Sequence, residues 1–410
     1  PACRMSNESH SHTSLTCDAR WPTWPIHDES EKTALLEVLK SGKWWFGEKV
    51  EQFEAEYAAF QGARYAVTCT NGTTAIEMGL RALGVVEGDE VIVPCYSFIA
   101  TASAVVTIGA IPVFADICHD TFCMDPADVE KKVTSRTKAI VPVHVSGLIA
   151  DMDRINAIAA SLGLEVLEDS AHAWGSQLDG KGAGTLSRAG TFSFQETKNI
   201  TAGEGGILVT DSKEIADLCR SFTHCGRALN SAWYDHDFLG SNLRMTEFQA
   251  VVLSTQLKRL EQQISTREHN ARIISDVLRD VAGVQLPVDD SRMTRRSYHM
   301  YIFRLTEGLA SSRTEIVDKL TAAGVPVSIG WYRPLYKNNV FQNAHIGPAH
   351  GIRSPLANKG VDYTRTECPV GEQVCNDAVW IPQTVLLGSE ADVTSAAQVI
   401  RHVIEQKMNG

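Results

Sequence analysis

Between residues 89 and 170, short apolar and β-branched runs alternate with amphipathic ones: DEVIVP, ATASAVVTIGA, IPVFADI, ADVEKKV, TKAIVPVHV, MDRINAIAASLG and LEVLEDS follow one another. Few folds satisfy that rhythm. The strand-like runs are nearly all apolar, so they need cover on both faces rather than one. The helical segments between them supply it, which predicts an α/β architecture with a mostly parallel sheet flanked by helices. In such sheets ligands gather at the carboxyl ends of the strands, so the polar residues closing each run become the candidates for chemistry.

Upstream, WPTWPIHDESEKTALLEVLKSG passes from proline punctuation to helical spacing, with Asp28 or Ser30 as caps and Leu35, Leu36, Val38 and Leu39 on one face. VEQFEAEYAAFQG ends a second helix on Gly62, and AIEMGLRALGV forms a third after the loop TNGTT. Downstream, MTEFQAVVLSTQLKRLEQQISTREHNARIISDVL has no internal proline or glycine and reads as a long linking helix. Strands such as YHMYIFRL, the helix RTEIVDKLTAAG and loops around Trp331 and Pro334 then suit a smaller α+β domain. The expected division is a polar extension over 1–25, a large domain over 26–265 and a small C-terminal domain over 266–410.

A net charge of -11 over 410 residues argues against a protein that coats nucleic acid or an anionic membrane, since both need a basic face. No apolar stretch approaches membrane-span length, and the first two dozen residues are polar, so a cytoplasmic location is expected. The ten cysteines lack the paired short spacings of a zinc site or redox dithiol; no metal is expected, and they read as small buried hydrophobes.

One lysine stands in an unusual setting. TFSFQETKNITAGEGG places Lys198 between a β-rich run and a glycine-rich turn, the rigid, partly desolvated position an imine-forming lysine requires. Ser193 lies five residues before it. Asn71, Gly72, Thr73 and Thr74 precede a helix, as a phosphate cradle would, although NGTT is also an ordinary capped turn. Asp169 closes LEVLEDS, where it pairs with a protonated ring nitrogen or caps the next segment. Phe98 closes VIVPCYSF as a stacking ring or a core residue. Together these are the parts pyridoxal 5′-phosphate (PLP) needs.

The segments GTTAIEMGLRALGVVEGDEVIVP, GAIPVFADI, PVHVSGLIADMD, LEDSAHAWGS, TFSFQETKNITAGEGG and GSNLRMTEFQAVVLSTQL resemble, in order, the motifs of the DegT/DnrJ/StrS aminotransferases. These are PLP enzymes of fold type I, with a seven-stranded-type sheet, that act on keto sugars and cyclitols. The resemblance implies that Lys198 carries the cofactor as an imine and moves the substrate proton. It implies that Asp169 partners the pyridinium nitrogen, that His172 lies near the phenolic oxygen, and that Ser193 and Gly72 to Thr74 bind phosphate. Asn242 matches a residue lent to the neighbouring subunit's phosphate site, which implies a homodimer with shared active sites. Arg227 and Arg244 are candidates for the donor carboxylate.

His172, the doublet Trp44 and Trp45, FSFQ, CGR and GSNLRM are most similar to the branch holding 3-amino-5-hydroxybenzoate synthases and glutamine:scyllo-inosose aminotransferases. That implies glutamine or glutamate as amino donor and a cyclic ketone as acceptor. The acceptor pocket is expected from the Trp44 and Trp45 segment, the loops around Tyr234 and His236, and Tyr332. Dehydration with aromatisation is the alternative on the same cofactor, and a non-catalytic PLP-binding regulator a remote one.

Overall fold

The computed structural model describes residues 5–6, 14–227, 232, 234–288, 290–306, 308–342 and 360–409. Seven strands form the central sheet: β1 (Tyr65–Cys69), β2 (Glu90–Pro94), β3 (Ile111–Ala115), β4 (Thr137–Ile140), β5 (Glu165–Asp169), β6 (Ala189–Ser193) and β7 (Gly206–Thr210). Their spatial order is β1-β7-β6-β5-β4-β2-β3. Pairings from β6 across to β3 are parallel, as the doubly covered apolar runs require. Only β7 is reversed, antiparallel to both β6 and β1. Its reason is local: parallel neighbours need a crossover, whereas β6 returns directly as β7 through a loop at the sheet's carboxyl edge. That loop carries Lys198.

Helices cover both faces. α1 (Glu29–Ser41) is capped by Asp28, which accepts from Ser30 N and whose own N–H donates to Glu31 Oε2 at 2.9 Å. The leucine face expected for α1 is not buried as a whole: Val38 is, but Leu36 is 43% and Leu39 52% exposed. Arg259, paired with Glu31 and Asp28, ties α1 to the long helix Glu247–Leu278 instead. α2 (Glu48–Gln61) ends on Gly62 at φ 83, with the Gly62 N–H donating to Ala58 O. α3 (Gly72–Ala82) starts three residues before the apolar pattern, so the expected loop Gly72 to Thr74 is its first turn. α4 (Ala100–Thr107) follows β2.

The helix Glu247–Leu278 serves two cores. Leu253, Leu260 and Ile264 pack with Phe53, Tyr57, Phe192 and Phe194, whereas Ala271, Ile274 and Leu278 pack with a second antiparallel sheet. That sheet, in order β8-β9-β10, comprises β8 (Val284–Gln285), β9 (Met300–Leu305) and β10 (Ala378–Pro382). The segment before residue 25 is not separate along its length. Cys17 is buried in the second core, its N–H donating to Ala323 O at 2.8 Å.

Two buried polar devices join the parts. Asp116, just past β3, accepts from Val370 N at 3.0 Å and Gly371 N at 2.8 Å, capping the helix Pro369–Asp377. Arg304 of β9 grips Asp377 through two bonds of 2.8 and 2.6 Å, both side chains 2% exposed. Removing one partner of such a pair strands a buried charge, so Asp377→Ala is expected to cost about 3 kcal/mol of stability in urea unfolding.

Candidate active site

The polar ends of the strands converge. Asp169 closes β5 and is buried; its N–H donates to Pro142 O at 2.9 Å and its carbonyl accepts from His144 N at 3.1 Å. Beneath it Glu168 accepts from Gly184 N, Leu186 N, Ser187 N and His144 Nε2 at 2.7–2.8 Å. His144 Nδ1 accepts from Ala150 N at 3.2 Å, so the ring proton sits on Nε2 and the strand end is locked. The Asp169 carboxylate accepts from Thr101 Oγ1 of α4 at 2.8 Å and from Ala171 N at 3.2 Å. It caps a turn rather than a helix. Burial raises its pKa, while the Thr101 bond, the Ala171 bond and Lys198 pull the other way.

At the start of α3, Asn71 Oδ1 accepts from Thr74 N at 3.0 Å, and the Thr74 hydroxyl donates to Asn71 O at 2.9 Å. The Thr74 hydroxyl is therefore part of the helix cap. The first-turn N–H groups of Gly72 and Thr73 have no acceptor inside the helix and open on Ser193 at the end of β6. A Cβ on Gly72 would lie 2.7 Å from Ser193 Cβ. Gly72→Ala is therefore expected to displace this edge and, in the holoenzyme, to speed cofactor loss on dialysis about tenfold or more. The glycine-rich turn has a related role: a Cβ on Gly206 would strike the carbonyl of Asn71.

Lys198 N donates to Gln195 O at 2.9 Å, and its Nζ lies 5.8 Å from the Trp174 ring centroid. Burial lowers its pKa to about 8, against the opposing pull of Asp169. At neutral pH an appreciable fraction is free amine, the form that attacks carbonyls. His172 stacks on Trp331, with centroids 5.6 Å apart at 17°, and lies 4.4 Å from the His299 ring. Burial, then Lys198, hold His172 well below the usual histidine pKa, and its buried Nδ1 has no hydrogen-bond partner.

These groups share a cavity of about 760 Å³. It takes in Gly72, Thr73, Thr74, Phe98, Asp169, His172, Ser193 and Lys198 from the sequence reading. Phe98 is 59% exposed toward that space rather than in the core. The remaining candidates lie outside its lining. Trp44 and Trp45 are exposed, with Arg244 stacked 5.1 Å over Trp45. Asn242 bridges to His224 and Arg227 to His236. Tyr332 is 64% exposed. Within this chain the aromatic wall of the cavity is formed by Trp331 and Trp380, edge-on at 4.8 Å, with Trp380 Nε1 donating to Tyr96 OH at 3.1 Å. Thr101, His299 and Trp380 escaped the sequence reading, and Trp331 entered it only as a loop landmark. A hydroxyl in ATAS and a histidine in YHMYIFRL carry no local signal of long-range contacts.

A buried amine of lowered pKa, a carboxylate on the neighbouring strand and a helix N-terminus, all at the carboxyl edge of this sheet, define a fold type I PLP site. The profile of the DegT/DnrJ/EryC1/StrS aminotransferase family matches residues 25–401, and the chain belongs to that family. A 3-amino-5-hydroxybenzoate synthase of Amycolatopsis mediterranei is 38% identical over 94% of this chain and 97% of its own. An L-glutamine:2-deoxy-scyllo-inosose aminotransferase of Streptomyces fradiae is 35% identical over 93% of this chain and 95% of its own. The crystal structure of a 3-amino-5-hydroxybenzoic acid synthase superposes with a TM-score of 0.85 at 36% identity, covering 95% of this chain and 99% of that one. The protein is thus a PLP-dependent aminotransferase by family. Its residues fit the cofactor: the cavity keeps an orphaned buried Nδ1, a lysine whose pKa burial has lowered to about 8, and a cradle that a Cβ on Gly72 would crowd.

Proposed function

We propose that the enzyme transfers an amino group from glutamine or glutamate to a cyclic ketone, a keto-cyclitol or keto sugar, in secondary-metabolite biosynthesis. The observation that carries this reading is the partly neutral Lys198 amine sharing one cavity with Asp169 and an aromatic wall, in a chain similar along most of its length to glutamine:inosose aminotransferases. PLP, when bound, supplies the electron sink that lets nitrogen and proton move between donor and acceptor.

The chain's own groups do the rest. Lys198 presents a neutral amine to a carbonyl and, once released, takes and returns the proton at the substrate carbon bearing nitrogen. Asp169, costly to bury as an anion, is relieved by a cationic ring nitrogen and held toward it by Thr101 and Ala171. The α3 N-terminus and Ser193 would hold the cofactor's phosphate, and His172 would face its phenolic oxygen.

Trp44, Trp45, Asn242, Arg227 and Arg244 belong in this reading to the face met by a second copy, giving a cytoplasmic homodimer with shared sites. Exposed Tyr234, Phe238 and Leu239 in the same loop region support such a cover. The test is spectral and then chemical: glutamine or glutamate alone should bleach the bound cofactor's absorbance, and a cyclic ketone should restore it. Persistence of the band with every donor would sink the proposal. The similarity to 3-amino-5-hydroxybenzoate synthase favours one second reading, dehydration and aromatisation of a cyclohexenone, which predicts turnover without any amino donor.

A further inference from the structure

His299 stands on the loop entering β9 and reaches the cavity beside His172. Its protonation pattern follows from its neighbours. Asn199 Nδ2 donates to the carbonyl of Ser297 at 2.9 Å, and a carbonyl only accepts, so the amide orientation is fixed. The Asn199 oxygen therefore faces His299 Nδ1, at 3.1 Å, and accepts its proton. Burial, His172, Lys198 and Arg267 all hold His299 well below the ordinary histidine pKa, so the ring is neutral. A neutral ring with its proton on Nδ1 has a bare lone pair on Nε2.

That lone pair meets no donor among the described residues, while the ring lines the cavity. Its ring neighbours are His172, 4.4 Å away, and Trp174, 5.5 Å away and edge-on. We infer that His299 Nε2 is a fixed hydrogen-bond acceptor for a hydroxyl of the ring acceptor, and that it makes the enzyme prefer hydroxylated cyclic ketones over bare ones. A site built around a buried acceptor rejects ligands lacking the matching donor far more strongly than an apolar wall rejects an added hydroxyl. The inference rests on the proposed acceptor class.

The test compares the holoenzyme with His299→Phe and His299→Gln, glutamine as donor, and two acceptors: a pentahydroxycyclohexanone and cyclohexanone. In His299→Phe the ratio of kcat/KM for the hydroxylated over the bare ketone is expected to fall about tenfold or more, the size of one such bond. His299→Gln, which keeps an acceptor, should recover part of it. His299→Leu carries the same expectation as the phenylalanine variant and contends with less bulk, and retention of the cofactor band reports folding. An equal loss on both ketones, or an unchanged ratio, overturns the inference. An unchanged ratio with a shifted cofactor band places the lone pair on the cofactor and overturns it too. Wild-type enzyme that aminates neither ketone defeats the acceptor class itself, and the inference with it.

Discussion

Lys198→Ala is expected to lower transamination by roughly 10³- to 10⁴-fold, the reach of a lost proton carrier whose covalent role is also gone. The size follows from the amine's environment. Burial has brought its pKa to about 8, so it is both nucleophile and base near neutral pH, and no other amine lines the cavity among the described residues. Lys198→Arg should fail almost as badly, because a guanidinium stays protonated at any working pH. Absorbance after mixing with the amino donor measures the loss. The pH dependence has a definite sign: below about 8 the ammonium holds its lone pair as a proton, and above it the amine is free. Capture of PLP by cofactor-free protein should therefore accelerate as pH rises through about 8, where it reaches half its limit, and level roughly a unit above it.

Asp169→Asn is expected to reduce kcat by roughly 10² to 10³, the loss of one strong, preorganised electrostatic interaction. Asparagine keeps the shape of the side chain and leaves an oxygen for Ala171 N or Thr101, so the strand end should hold. What it removes is the charge. The aspartate's raised pKa marks a buried anion without a full counter-charge, and a cationic ring nitrogen is the partner that offsets that cost. Hence the gain in melting temperature on adding cofactor should shrink in Asp169→Asn. Thr101→Val, which deletes one bond to the carboxylate, should lower kcat less, by about tenfold. An Asp169→Asn enzyme of near wild-type kcat would remove the carboxylate from the proposed machinery.

Much of the site was legible because strand ends can be read from pattern. LEVLEDS and TFSF are apolar runs closed by a polar residue, and the sheet rule sends both closures to one edge. Lys198 was legible from its turn, though the turn's glycine proved to matter for a close approach to Asn71 as well as for room. The tryptophans that line the cavity within this chain were not legible for a plain reason. Trp44 and Trp45 are adjacent and conspicuous, whereas Trp331 and Trp380 meet only because β10 and the loop before Pro334 fold onto the same wall.

Local pattern in the chain was enough for the apolar rhythm, hence the parallel sheet, and for the lysine and aspartate at its carboxyl edge. These depend on local periodicity and on the chemistry of single side chains. Tertiary structure alone decided the reversed β7, the Thr101 bond to Asp169, the lowered pKa of Lys198 and the bare lone pair of His299. Each arises from groups distant in the chain, where burial and hydrogen-bond partners, rather than residue type, set the energy of a charge or a proton.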